Sequence, residues 1–185
     1  MESFFVSTGL VALAEMGDKT QLLSLVLAAR FRKPWPIVAG IFVATLLNHA
    51  AAAAVGAWIT QWIGPQAMRW ILAASFLAMA AWIMVPDKLD DDETPAASHF
   101  GVFAATALAF FLAEMGDKTQ IATVALAARY EAMIGVVTGT TLGMMLANVP
   151  VVFLGDRLTR KLPIRAIHSV CAVIFVLLAA ACVLL

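Results

Sequence analysis

Six stretches of the chain are apolar over enough residues to cross a bilayer as helices, which takes about 20 mostly apolar positions. They run over 4–29, 37–61, 70–86, 100–128, 133–155 and 164–185. Pro34, Pro36, Pro65, Pro86, Pro95 and Pro163 fall at the joins, where a helix can stop without losing a ladder hydrogen bond. Trp35, Trp58, Trp62, Trp70 and Trp82 lie near the expected helix ends, as an interfacial aromatic belt requires. Pro150, inside the fifth stretch, is expected to kink it.

The pattern repeats. Leu13–Phe31 and Leu112–Tyr130 share thirteen of nineteen residues at an offset of 99. The same offset aligns Gly40 with Gly139 and Gly56 with Gly155. Each repeat holds three spans, and an odd number forces the second copy to enter the membrane upside down. The expected fold is therefore an all-α membrane protein of six transmembrane helices in two inverted three-helix repeats. The repeats cover 1–86 and 100–185, with an acidic linker at 87–99.

Composition agrees with this reading. Of 185 residues 63% are hydrophobic and 13% charged, and the mean hydropathy is +0.93. Soluble domains hold about 25% charged residues. Twelve basic residues balance twelve acidic ones, so no basic surface suits nucleic acid. Cys171 and Cys182, both in the last apolar stretch, read as small core residues. Met1 and Glu2 open no basic n-region, so a cleavable signal peptide is not expected. Eight Lys and Arg fall on one side of the expected spans (Arg30, Arg32, Lys33, Lys88, Arg157, Arg160, Lys161, Arg165), against Arg69 and Arg129 on the other. The positive-inside rule puts the richer side in the cytoplasm and both termini outside.

Against this apolar background, Glu15, Asp18 and Lys19 and their copies Glu114, Asp117 and Lys118 sit well inside spans one and four. Each charge costs about 2.5–3.5 kcal/mol at a helix centre, so all six ask for a function. Glu15 and Lys19 have the i, i+4 spacing of a structural ion pair. Such pairs would still leave the aspartates uncompensated. Gly17 and Gly116 allow either a break or a mild kink, and Asp18–Gln21 and Asp117–Gln120 resemble capping boxes that could start a second half-helix. The four carboxylates form a hard-oxygen site suited to Mg²⁺, Ca²⁺ or Mn²⁺. Thr20, Thr119, Gln21 and Gln120 are its expected supporting groups, with Asn48 and Asn148 as a near-symmetric second tier at an offset of 100. His49 reads as a satisfied interior histidine without a counterpart. Gly135, Gly139 and Gly143 read as a stripe for close helix packing.

The motif Glu-x-Gly-Asp-Lys-Thr, present twice over Glu15–Thr20 and Glu114–Thr119, resembles the small cation transporter family of Golgi manganese/calcium–proton exchangers and bacterial manganese exporters. The resemblance covers the whole chain. It implies export of a divalent cation, Mn²⁺ first and Ca²⁺ second, in exchange for protons. It also implies a bacterial inner-membrane location, with no cofactor beyond the transported ion. A small-solute exporter of amino-acid type would share the six helices and the repeat but would not need four converging carboxylates. A non-transporting assembly factor would tolerate their loss. No H-E-x-x-H or G-x-S-x-G pattern speaks for an enzyme.

Overall fold

The computed structural model describes residues 1–85, 101–155 and 163–184. The acidic linker at 87–99, together with Lys88, Arg157, Arg160 and Lys161 of the charge count, lies outside the described residues. Among the described residues the chain is all-helical, with eight helices: α1 (Glu2–Glu15), α2 (Lys19–Phe31), α3 (Pro34–Ile59), α4 (Pro65–Trp82), α5 (Val102–Glu114), α6 (Lys118–Tyr130), α7 (Met133–Leu154) and α8 (Ile164–Leu184).

Three of them, α3, α7 and α8, are each long and apolar enough to cross a membrane, and α5 is a shorter apolar helix. Three of the six fall short: the first and fourth stretches are each divided at the Gly-Asp step, and α4, with 18 residues that include Gln66 and Arg69, is not apolar enough. Helix α1 has 14 residues and α2, α5 and α6 have 13 each. At a rise of 1.5 Å per residue, each half reaches only about 20 Å. The alternative of a mildly kinked continuous helix is thereby excluded. Helix α4 begins five residues before the expected position because Pro65 sits in its first turn, where a missing N–H costs nothing. Pro150 is accommodated inside α7.

The breaks have a local cause. Met16 (φ −67°, ψ 115°) and Gly17 (φ 83°) form a type II β-turn closed by Asp18 N–H donating to Glu15 O at 3.1 Å. Met115 (φ −66°, ψ 118°) and Gly116 (φ 77°) form its copy, with Asp117 N–H donating to Glu114 O at 3.2 Å. The third turn position needs a positive φ, which glycine adopts without steric cost.

Two apolar clusters flank a polar middle. One gathers Leu10, Phe76, Leu126 and Phe175 from α1, α4, α6 and α8. The other gathers Leu23, Ile37, Phe110 and Val152 from α2, α3, α5 and α7. Large apolar side chains such as Leu108, Ile134 and Leu177 stay exposed on the outside, a surface that lipid rather than water would cover. The chain is a membrane protein.

Packing contacts recur at the sequence offset. A Cβ at Gly139 would run into Phe4 O and Ser7 Cβ, and one at Gly40 into Phe103 O and Thr106 Cβ, 99 residues on in each partner. Equivalent glycines thus admit equivalent backbones, which brings α7 onto α1 and α3 onto α5.

Candidate functional site

The two turns meet between the clusters. Glu15 and Glu114, the last residues of α1 and α5, are fully buried, and Asp117 is 6% exposed. One carboxylate oxygen from each of these three lies within 4.8 Å of the others. Thr20 Oγ1 donates to Glu15 Oε2, and Thr119 Oγ1 lies 3.1 Å from Glu114 Oε2 and 3.3 Å from Asp117 Oδ2. The second oxygens, Glu15 Oε1 and Glu114 Oε1, are buried without a hydrogen-bond partner. Buried oxygens in this state cost free energy until a proton or cation reaches them.

The fourth expected ligand, Asp18, is not among the three carboxylates within 4.8 Å of one another. Lys118 Nζ lies 2.7 Å from Asp18 Oδ1, and Lys19 Nζ lies 3.7 Å from Asp117 Oδ1. The lysines therefore cross between repeats instead of following the i, i+4 spacing. That spacing presupposes a continuous helix, and the β-turn puts Glu15 and Lys19 on different helices. Four carboxylates and two ammonium groups sum to a charge of −2 when all six are ionised.

The glutamines do not complete ordinary capping boxes. Gln21 Oε1 accepts from Gly17 N–H at 3.0 Å and Gln120 Oε1 from Gly116 N–H at 2.7 Å, one residue before the cap position. They tie each turn to the helix that follows it. Asp117 caps α6 by accepting from Thr119 N–H at 3.4 Å, whereas Asp18 makes no side-chain cap bond.

Asn48 and Asn148 differ in role. Asn48 Nδ2 donates to Phe111 O at 3.1 Å, pinning α3 to α5. Asn148 Oδ1 accepts from Ser24 Oγ at 2.8 Å and its amide reaches Met144 O at 3.1 Å, while Gln21 Nε2 donates to Ala147 O at 3.0 Å. These bonds run to backbone carbonyls and to Ser24 rather than to the trio. The two asparagines are offset by 100, and the strict mate of Asn148 at 99 is His49. The reading of His49 as lacking a counterpart is corrected by that register. It is also not a satisfied histidine, because both ring nitrogens are buried without a partner.

Sequence reasoning missed Ser24 and His168. Ser24 was legible as the mate of Thr123 within the repeat, since both carry a hydroxyl. His168 Nε2 donates to Met16 O at 2.7 Å and so occupies a carbonyl freed by the first break. Its signal was an imidazole in a last stretch otherwise polar only at Arg165 and Ser169.

A model of the family described as "Divalent cation/proton antiporter GDT1" matches residues 3–91 and 102–184. The chain is 53% identical over 182 residues to a Vibrio cholerae serotype O1 protein described as "Putative manganese exporter", covering 98% of this chain and 90% of that one. It is 27% identical over 197 residues to a GDT1-like protein of Synechocystis sp., covering 97% and 95%. It is also 27% identical over 200 residues to GDT1-like protein 3 of Arabidopsis thaliana, covering 94% and 68%. No solved structure matches the chain.

Proposed function

Because the chain belongs to the GDT1 family of divalent cation/proton antiporters, we propose that it exports Mn²⁺ across a bacterial inner membrane in exchange for protons. The family is one of antiporters rather than enzymes. The substrate cation binds between the repeats at Glu15, Glu114 and Asp117, and Asp18 joins when Lys118 releases it. Thr20 and Thr119 hold the glutamates in place, Gln21 and Gln120 brace the turns, and Lys19 and Lys118 balance charge in the empty site. The two halves, 1–86 and 100–185, lie inverted across the membrane as six spans, two of them broken. The linker at 87–99 is cytoplasmic and both termini face outward.

The observation that carries this reading is the pair of buried, unbonded oxygens on Glu15 and Glu114 inside the carboxylate trio. The uncompensated charge explains the coupling. One divalent cation or two protons neutralise the six-residue set, whereas the empty, doubly charged site pays a membrane penalty on reorienting. Exchange of one M²⁺ for two H⁺ is therefore favoured over uniport and is electroneutral. The protein in proteoliposomes, with membrane potential clamped, should take up Mn²⁺ in proportion to an imposed pH gradient. Flux indifferent to that gradient, or scaling with voltage, overturns the scheme.

A further inference from the structure

Helix α3 runs alongside the broken pair α5/α6 in the same direction. Gly40 abuts Phe103 and Thr106, Asn48 donates to Phe111 O, and Gly56 abuts Val124 and Ala127. Between Asn48 and Gly56 the facing chain thus passes from 111 to 124, across the break at Met115–Asp117. His49 and Gly56, seven residues apart, share a helix face. Ala53 between them packs in one cluster with Ala122 and Leu126 of α6. The helical register therefore puts His49 on the side of α3 that packs on α6, two turns before Gly56 and level with the first turn of α6. Its ring is 0% exposed and neither nitrogen has a hydrogen-bond partner. Leaving a polar group in that state costs free energy, which a pure packing role does not explain. Its mate Asn148, by contrast, is bonded to Ser24 and Met144.

We propose that His49 is a nitrogen donor flanking the carboxylate trio, met by the cation on its passage, and that it biases the transporter toward first-row transition ions over Ca²⁺ and Mg²⁺. The proposal rests on reading the trio as the cation site. An oxygen-only set does not separate Mn²⁺ from Ca²⁺, whereas an imidazole nitrogen is a donor that transition ions accept and the alkaline-earth ions disfavour. Only one half carries it, so the two breaks differ in chemistry despite their matching motifs. Of the other two histidines, His168 is engaged at Met16 O, and His99 lies outside the described residues.

The test pairs transport with spectroscopy on the full-length protein in lipid. The Mn²⁺ flux of the His49→Asn variant, which copies the mate residue, should become sensitive to competing Ca²⁺ at concentrations roughly ten- to a hundredfold lower than for the unaltered protein, the usual scale for losing a supporting donor. His49→Gln is measured beside it, in case the shorter amide unfolds the helix. Electron spin-echo modulation of Mn²⁺ bound to the unaltered protein should contain a nitrogen-14 coupling that both variants lose. An unchanged Ca²⁺ sensitivity in folded variants, or no nitrogen coupling in the unaltered protein, overturns the proposal. Failure of the underlying site reading looks different: Glu114→Gln would then still carry Mn²⁺.

Discussion

The two Glu-Met-Gly-Asp-Lys-Thr turns have the same sequence and the same backbone, but their surroundings differ. A Cβ at Gly17 would lie 2.6 Å from Ile164 Cγ2, and the Met16 carbonyl is taken by His168. Among the described residues nothing lies within 4 Å of the corresponding position at Gly116, and Met115 is 58% exposed. The start of α8 therefore covers the first break, and among the described residues no equivalent element covers the second. The residues 99 positions earlier, Pro65 and Arg69, line a cavity at the far end of α6 with Ala128 and Arg129. Helices α4 and α8 pair through the mates Phe76 and Phe175, with ring centroids 6.2 Å apart, and the pair leans on one side of the molecule. Cys171 Sγ reaches Leu10 O there, and Met79 and Ile83 line a crevice with Ala14 and Lys118. The ion pairs follow the same asymmetry: Lys118–Asp18 is tight and buried, Lys19–Asp117 longer with its lysine 16% exposed. Local sequence dictates the turn, whereas access to it depends on partners that the repeat does not duplicate.

The largest effects should ignore this asymmetry. Glu15→Gln and Glu114→Gln should each lower Mn²⁺ transport by about a hundredfold or more, the upper range for losing a metal-site group, with the protein still inserted. Transport surviving one of the two would mean that a single half carries the ion. Lysine substitutions should expose the difference between the halves. Lys118→Met removes the ammonium 2.7 Å from buried Asp18. It should cost about 3–5 kcal/mol, while Lys19→Met should cost well under half of that. Denaturant unfolding in detergent measures both, and equal losses would make the crossed pairs equivalent.

A smaller contrast lies at the glycines. Gly17→Ala and Gly116→Ala both force a side chain to positive φ at roughly 1–2 kcal/mol, but only the first also collides with Ile164. The Gly17 variant should therefore unfold earlier by an additional ~1–3 kcal/mol, and matching stabilities would show that α8 does not rest on that turn. The smallest effect should come from the hydroxyls. Ser24→Ala removes a bond between helices to Asn148 and should cost about 1 kcal/mol. Thr123 bonds back along its own helix, to Thr119 O at 2.8 Å, so Thr123→Val should cost a few tenths at most, about 0.3 kcal/mol. A larger loss at Thr123 than at Ser24 would reverse the order of the two contacts.

Much of this was legible in the residues. The offset of 99 identified the mates, the charges in apolar stretches marked the residues that the fold gathers, and Gly beside Asp offered a break. Single-chain spacing misled in three places, only the first of which assumed an unbroken helix. Lys19 and Lys118 reach across to the other repeat's aspartate, the glutamines brace the turn one residue before the cap, and Asn48 and Asn148 serve different helices.

Sequence alone determined what short-range sterics control. Glycine adopts the positive φ of the third turn position without steric cost, and a carboxylate in lipid demands compensation, so the place where each span could break and the charge it carries were legible, while the choice of a break over a mild kink was not. Only the tertiary structure decided which lysine meets which aspartate, why three of the four carboxylates converge, and which break lies under α8. Those outcomes depend on the docking of helices about a hundred residues or more apart in the chain. Two identical hexapeptides cannot encode a difference between themselves, so the asymmetry arises in the helices that pack around them.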